Sequence, residues 1–122
     1  MEKTQKLFNR FFKKWSDIVD KYGWEVSVVY CFCVEDMPES LSYSCNAGTF
    51  STFKYLEATI YVNLRRSEGL SPEKIEYIVV HELVHLLINP IQLDSVPIDG
   101  IEYVVTTIAR TLLGVENGKE NG

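Results

Sequence analysis

Apolar residues recur every three or four positions through the first part of the chain, and this spacing predicts one helix over residues 3–22. Lysines and an arginine cover its other side, and a basic amphipathic helix can lie on a membrane surface. A stripe of this kind more often packs on a core, which is the expected arrangement, and Gly23 is expected to end the helix. The stripe is largely aromatic: Leu7, Phe8, Phe11, Phe12, Trp15, Ile18, Val19 and Tyr22.

Three further segments are rich in β-branched and aromatic residues, and they predict strands over residues 24–34, 41–53 and 58–64. Residues 35–40 have the composition of a loop, and residues 46–48 form a possible bend inside the second strand. Because the connection between the second and third strands is short, we expect these two to pair as an antiparallel hairpin.

A long apolar helix is predicted after the third strand. Ser71 is a suitable N-cap, Pro72 suits the first helical position, and Glu73 places an acid in the first turn. The pair Asn89-Pro90 is expected to end this helix, because the residue before a proline disfavours helical geometry. Between these limits the apolar positions keep helical spacing: Ile75, Ile78, Val79, Leu83, Leu86 and Leu87.

A second helix is predicted after a short loop. Asp94 or Ser95 can cap its start, and its first turn includes Pro97. Gly114 is expected to end it, since glycine is the usual residue just beyond a helix. The remaining residues, 115–122, are polar and are predicted to form a disordered tail.

These elements predict an α+β fold over residues 1–114, with an N-terminal helix, a small three-stranded, mostly antiparallel sheet and two C-terminal helices. A chain of 122 residues, 46% hydrophobic and 24% charged, suits a single globular domain. A net charge of −5 argues against nucleic acid as a partner. No apolar run approaches the roughly 20 residues needed to span a bilayer, so a membrane is not an expected partner either.

The cysteines and the start of the chain point to the cytoplasm. The first residues show no signal-peptide pattern, and an odd number of cysteines favours reduced thiols. Cys31 and Cys33 would share one face of the first strand and could be imagined in a second zinc site. Zinc-binding cysteines usually come in closely spaced pairs within a set of four ligands, so we expect these two and Cys45 to be small core side chains.

The two histidines of the chain stand four residues apart, at positions 81 and 85, inside the first of the two C-terminal helices. Side chains at this spacing lie on one helix face with Cβ atoms about 5–6 Å apart, so both imidazoles can reach one ion. Glu82 completes the H-E-x-x-H pattern of zinc hydrolases, in which the glutamate acts on a metal-bound water. The alternative is a helix whose histidines are satisfied in the core or exposed on its outer face.

A catalytic zinc usually has three protein ligands, with water in the fourth position, so the two histidines leave one ligand to be found. No third histidine exists, and a carboxylate from the following helix is needed. Glu102, 17 residues after His85, is the best candidate, and Asp99 is the second. For both acids the alternative role is to stabilise the N-terminus of their helix.

The motif at residues 81–85, followed by Glu102 in the next helix, resembles the glutamate-ligand zincins, or gluzincins. The chain is most similar to the small stand-alone zincin-like metalloproteins of bacteria and phages, over roughly residues 58–113. The resemblance implies that His81, His85 and Glu102 bind zinc and that Glu82 is the general base.

The same resemblance implies that the strand before the motif helix, residues 58–64, lines the cleft and pairs with extended peptide. The predicted function is zinc-dependent hydrolysis of peptide bonds, in which Glu82 assists attack of a zinc-bound water on a peptide or protein substrate. Tyr61, Tyr103 and Arg65 are possible donors to the transition state, although each has a structural alternative.

The rival prediction is a non-catalytic binding or regulatory module in which zinc holds two helices together. A small core gains stability from a structural metal. In that arrangement a fourth protein ligand, such as Asp99, would fill the position that a catalytic site leaves open to water. The expected departure from the gluzincin pattern is in size, since no second domain is predicted to close the cleft.

Overall fold

The structure is a computed structural model that describes residues 2–38, 41, 45–52, 55–88 and 98–121, with the backbone alone at positions 34, 98, 99 and 115–121. The predicted α+β class is confirmed, with an N-terminal helix, a three-stranded sheet and C-terminal helices. The elements in chain order are α1 (Glu2–Trp15), α2 (Asp17–Asp20), β1 (Glu25–Cys31), a 3₁₀ turn (Val34–Asp36), β2 (Ala47–Thr52), β3 (Glu57–Asn63), α3 (Leu64–Ser67), α4 (Pro72–Ile88) and α5 (Ile98–Asn121).

The aromatic stripe of α1 packs on the core, as expected, and α1 lies against α4. The predicted single helix is interrupted at Ser16, whose hydroxyl donates to the carbonyl of Lys13 at 3.3 Å. Such a side-chain bond to the preceding turn competes with the helical pattern and often bends it. Gly23 follows with a φ of 89°, the left-handed conformation expected of a glycine that ends a helix.

The sheet has the order β1-β3-β2, with β3 in the centre. The predicted antiparallel pairing of β2 with β3 is confirmed, and Thr49 pairs with Ile60 in its register. The second pairing, of β1 with β3, is parallel, so that the sheet is mixed rather than mostly antiparallel. A parallel pair requires a long crossover, and residues 32–56 supply it while placing β2 on the far side of β3.

Two strands are shorter than predicted. β1 ends at Cys31, because the chain turns just afterwards: the amide of Asp36 donates to the carbonyl of Cys33 at 3.1 Å. β2 covers only Ala47–Thr52 of the predicted range 41–53. Residues 42–44 and 53 of that range lie outside the described residues.

α4 is the central helix of the fold and contacts α1, α2, α5 and β2. Its N-terminus is the predicted one, since the Ser71 hydroxyl accepts a hydrogen bond from the Lys74 amide at 3.3 Å. Its predicted end at Asn89-Pro90 lies outside the described residues. Because other elements surround it, the helix buries apolar residues on more than one side: Ile75, Val79, Val80, Leu83, Val84 and Leu86.

α5 packs on α4 through Val105 and Ala109, which are fully buried and one turn apart. The helix continues past Gly114 to Asn121, so the prediction that it ends at Gly114 was wrong. A glycine inside a helix costs only about 1 kcal/mol relative to alanine, and helix-favouring glutamates and a lysine follow it. The predicted start at residues 94–97 lies outside the described residues.

None of the helices in the described ranges combines the length and apolar character that a membrane crossing requires.

Glu76 of α4 joins α1 to the core. The indole Nε1 of Trp15 donates to Glu76 Oε2 at 2.7 Å, and Lys14 Nζ lies 2.8 Å from the same oxygen. The Glu76 side chain is only 14% exposed, so the indole would have little water to replace this acceptor.

We therefore expect Glu76→Ala to lower the free energy of unfolding by about 1–2 kcal/mol, mainly through the unpaired Trp15 indole. Urea denaturation measures the change, and Glu76→Gln should lose less because it keeps an acceptor oxygen. Glu2→Ala is the control, since it removes only an exposed pair with Lys6 and should change stability by less than about 0.5 kcal/mol. Equal losses in Glu76→Ala and Glu2→Ala would contradict this role of Glu76.

Candidate metal centre

The helical geometry of α4 places His81 and His85 one turn apart on the face that looks toward α5. Their ring centroids are 4.9 Å apart and the ring planes are inclined by 75°. The two side chains are 17% and 20% exposed, so each is largely sheltered but reachable from solvent. The spacing of four residues therefore brings the imidazoles together, as the sequence predicts.

Glu102 of α5 reaches both imidazoles. Its Oε2 is 3.3 Å from His81 Nε2, and its Oε1 is 3.0 Å from His85 Nε2. One ligand atom from each of the three residues lies within 4.8 Å of the other two. Among the side chains that the structure describes, this is the only such group of histidine, cysteine, aspartate or glutamate.

The donor atoms of this group suit a divalent metal ion such as zinc. Two imidazole nitrogens and one carboxylate oxygen are the protein ligands of a known class of catalytic zinc sites. Ligand atoms about 2.0–2.1 Å from a tetrahedral ion are about 3.3–3.4 Å from one another. The two carboxylate oxygens of Glu102 each lie near that distance from one imidazole, Oε2 at 3.3 Å from His81 Nε2 and Oε1 at 3.0 Å from His85 Nε2, and one ligand atom from each residue lies within 4.8 Å of the other two.

The position of Glu102 follows from the packing of α5. Val105 and Ala109 form the buried face of this helix, and Glu102 lies one turn before Val105, at the border of that face. Its side chain is 48% exposed, so the group is open to solvent on this side. The side chain of Asp99 is outside the described part of the structure, and its role as the alternative ligand stays a prediction.

Glu82 lies beside the histidines but is buried, with 7% exposure. Its Oε1 is 3.7 Å from His81 Nδ1, and its Oε2 accepts a hydrogen bond from the Thr49 hydroxyl at 2.6 Å. A buried carboxylate needs such partners, because leaving water without them is costly. Thr49 was not predicted from the sequence: it is 33 residues away and looks like any other strand threonine.

A cavity of about 270 Å³ opens at His81 and Glu82. Residues 45–47 form its opposite wall, and Tyr77 and Ile78 extend it along α4. Tyr77, also missed at the sequence level, has its ring centroid 5.7 Å from that of His81. It precedes His81 by one helical turn, so the same spacing argument that linked the histidines could have found it.

The predicted transition-state donors lie elsewhere. Tyr61 packs against Phe50 with ring centroids 5.8 Å apart, Tyr103 is 74% exposed on α5, and Arg65 belongs to α3. None of the three is among the described residues that line the cavity. The structure therefore gives no support to a role for them in the reaction.

The strand predicted to pair with substrate, residues 58–64, is not placed to do so. It corresponds to β3, which already forms hydrogen bonds with β1 on one edge and β2 on the other. A strand paired on both edges has no backbone groups left for a peptide. Within the described residues, the strand next to the cavity with an unpaired outer edge is β2, and its first residue, Ala47, lines the cavity.

The cysteines show no sign of a second metal site. The thiol of Cys31 donates to the backbone carbonyl of Asp36 at 3.3 Å, and that of Cys33 to the Asp36 carboxylate at 3.2 Å. Cys45 lines the cavity beside Glu82. Among the described side chains, no cysteine belongs to a group placed to hold a metal.

Opposing effects act on the protonation of His81. Burial lowers its pKa, but the hydrogen bond and charge of Glu82, together with those of Glu102, outweigh burial and raise the pKa above the usual 6.5. Only the neutral imidazole binds a metal, so protons and a metal compete for this residue.

In the metal-free protein, we expect stability to fall as the pH rises through the raised pKa of His81. Folding favours the protonated imidazole, so its contribution is complete below the unfolded pKa of about 6.5 and is lost above the folded pKa. The free energy of unfolding, measured with a chelator from about pH 5.5 to 8.5, tests this. His81→Gln should flatten that decline, and an identical pH dependence in the two proteins would contradict the raised pKa.

The structure thus brings together His81, His85 and Glu102 as the sequence predicts, with Glu82 beside them. Compared with models of protein families, with curated proteins and with solved structures, the chain matches none. A function can therefore be inferred only from the chemistry and geometry of its own residues. Those residues present a potential three-ligand metal centre with a buried carboxylate at its side.

Proposed function

We propose that the protein is a zinc-dependent metallopeptidase that hydrolyses peptide bonds in peptide or protein substrates. The observation that carries the proposal is the convergence of His81, His85 and Glu102 within 4.8 Å. The carboxylate of Glu82, with one oxygen 3.7 Å from His81, adds the base that this class of hydrolase requires. The H-E-x-x-H pattern of residues 81–85, followed by Glu102 in the next helix, resembles the gluzincin motif and supports the same assignment.

Each residue has a distinct task in the proposed reaction. Zinc held by His81, His85 and Glu102 would supply Lewis-acid polarisation of the scissile carbonyl and would acidify the attacking water. Glu82 takes the proton of that water and delivers it to the leaving amine. Since Thr49 occupies Oε2 of Glu82, Oε1 is the atom for proton transfer, and it faces His81.

The accessibility of the centre favours catalysis over a purely structural metal. Glu102 is 48% exposed, and the cavity of about 270 Å³ reaches His81 and Glu82. A structural zinc site is usually closed by four protein ligands, whereas a catalytic one keeps a position open. The described side chains contribute three.

The substrate would lie along β2 rather than β3. An extended peptide can add a strand to an unpaired edge, with backbone hydrogen bonds supplying affinity. The outer edge of β2 has no partner strand among the described residues, and Ala47 and Thr49 bring this strand to the cavity and to Glu82. The strand that positions the base would thus also receive the substrate.

We further propose a cytoplasmic location, without a membrane or nucleic acid as partner. Cys31 and Cys33 form no disulfide, and the Sγ atom of each lies within hydrogen-bond distance of Asp36, an arrangement that suits reduced thiols. Reduced thiols persist in the cytoplasm. A net charge of −5 gives no general attraction for nucleic acid.

Metal analysis combined with a cleavage assay tests the proposed function. The wild-type protein should contain about one zinc ion per chain and cleave members of a quenched-fluorescence peptide library. His81→Ala and Glu102→Ala should lose both properties, because each removes a ligand. Glu82→Gln should keep the zinc and lose about a hundredfold or more in kcat, because it removes the base.

The same experiment distinguishes the peptidase from the rival prediction, a non-catalytic module with a structural zinc. A protein that binds zinc and is destabilised by a chelator, yet cleaves no peptide in the library, would refute the peptidase and support a structural metal. A fully active Glu82→Gln protein would remove Glu82 from the mechanism.

Thr49→Val tests the positioning of the base. Valine has a similar shape but cannot donate to Glu82, and a hydrogen bond to a charged group is worth about 1.5–3 kcal/mol. We expect kcat to fall by about tenfold or more, with zinc content and KM nearly unchanged. Thr49→Ser, which restores the hydroxyl, should recover most of the rate. Equal kcat values for the two variants would show that the hydrogen bond does not position Glu82.

A further inference from the structure

A second cavity, of about 490 Å³, continues the first one along α4. The two cavities share Asn46, Tyr77 and Ile78, so that they form one groove leading away from His81. We call this feature the α4 groove. Its far end is lined by Leu70, Glu73, Lys74 and Arg110.

The antiparallel packing of α4 and α5 aligns this groove with the helix pair. His81 contacts Glu102, and one turn further from the centre Tyr77 Oη lies 3.5 Å from Thr106 Oγ1. One further turn along each helix, Lys74 and Arg110 line the same cavity. Each turn toward the N-terminus of α4 thus lies beside a turn toward the C-terminus of α5.

The far end of the groove is positively charged. Among the described side chains that line it, two are cations, Lys74 and Arg110, and one is a carboxylate, Glu73. In the part of the chain that the structure describes, neither cation forms an ion pair. The Arg110 guanidinium lies 6.0 Å from the centroid of the Tyr77 ring, an arrangement that orients it while leaving its N–H donors available.

The distance from the candidate centre to these cations corresponds to a few residues of peptide. Lys74 precedes His81 by seven residues and Arg110 follows Glu102 by eight, which at 1.5 Å per helical residue is about 10–12 Å. An extended peptide covers that span with about three residues at 3.3 Å each. A peptide bond at the histidines would therefore place the third residue beyond it near Lys74 and Arg110.

We propose that the α4 groove selects peptides that carry a carboxylate about three residues from the bond held at the candidate metal centre. The carboxylate is either an acidic side chain or the peptide's own C-terminus, since the guanidinium of Arg110 and the ammonium of Lys74 bind both. This specificity rests on the proposed peptidase function. It makes Lys74 and Arg110 the residues that determine the substrate class of an otherwise acidic protein.

Binding, measured apart from turnover, tests the proposal. Zinc-loaded Glu82→Gln protein is titrated with end-blocked heptapeptides that bear a neutral fluorophore and a single glutamate, moved through the positions in turn, or the matching glutamine. A second set has no acidic side chain but a free C-terminal carboxylate. We expect one glutamate position, or the free terminus, to bind about five- to tenfold more tightly than its neutral match, less so at high salt. The peptide set that binds more tightly shows whether the groove recognises an acidic side chain or a C-terminal carboxylate.

Charge-removing variants assign that preference to the groove. Lys74→Gln and Arg110→Gln should each reduce it and together abolish it, whereas Glu73→Gln should increase it. Arg10→Gln and Lys21→Gln are matched controls and should leave it unchanged. Each removes an exposed cation that lies over an aromatic ring outside the groove, at 4.9 Å from the Phe11 centroid and 5.7 Å from that of Tyr22.

Two results would overturn the proposal. One is equal affinity for acidic and neutral peptides, which includes the case in which neither binds. The other is a preference for acidic peptides that remains in the variant without the Lys74 and Arg110 cations. If the double variant does not fold, the Glu73→Gln protein replaces it in the test. A Glu73→Gln protein whose preference for acidic peptides is not increased would also overturn the proposal. A separate cleavage measurement on the wild-type protein tests the peptidase function. If wild-type protein does not cleave the peptides that Glu82→Gln protein prefers, hydrolysis is refuted while the carboxylate selectivity stands.

Discussion

The contact between α4 and α5 is the constraint on which the candidate centre depends. Val105 and Ala109 are fully buried in the core, and α5 packs against α4. This packing fixes the rotation of α5 and brings the Glu102 carboxylate to 3.0 and 3.3 Å from the two imidazoles. Two rigid helices hold donor atoms more accurately than loops can, which suits a site that needs three ligands at defined separations.

A second constraint comes from burying the charge of Glu82. A carboxylate with 7% exposure requires compensation, and the Thr49 hydroxyl supplies it across the interface between α4 and the sheet. The same contact holds β2 beside the motif helix. The candidate metal ligands, the proposed base and the unpaired edge of β2 therefore meet at one place, although they belong to three elements. The geometry of the proposed reaction is a consequence of how the core packs.

The helix pair also explains the shape of the surface around the centre. Because α4 and α5 run antiparallel, the α4 groove extends from His81 toward Lys74 and Arg110. The chain carries a net charge of −5, yet the described side chains at the far end of this groove include two cations and one carboxylate. The groove therefore has the candidate metal centre at one end and the cationic side chains of Lys74 and Arg110 at the other.

Local spacing along the sequence was enough to predict the Ser71 N-cap, the course of α4, the two imidazoles on one face and the arrival of Glu102 from the next helix. The prediction that α5 ends at Gly114 was wrong, because a single glycine weakens a helix without ending it. The sequence alone therefore determined which residues form the candidate metal centre, since helical periodicity is a property of neighbouring residues. Only the tertiary structure decided that β3 is central, that β2 has the unpaired edge and that Thr49 holds Glu82. Those features depend on which distant segments bury their apolar faces together, and no short stretch of sequence encodes that choice.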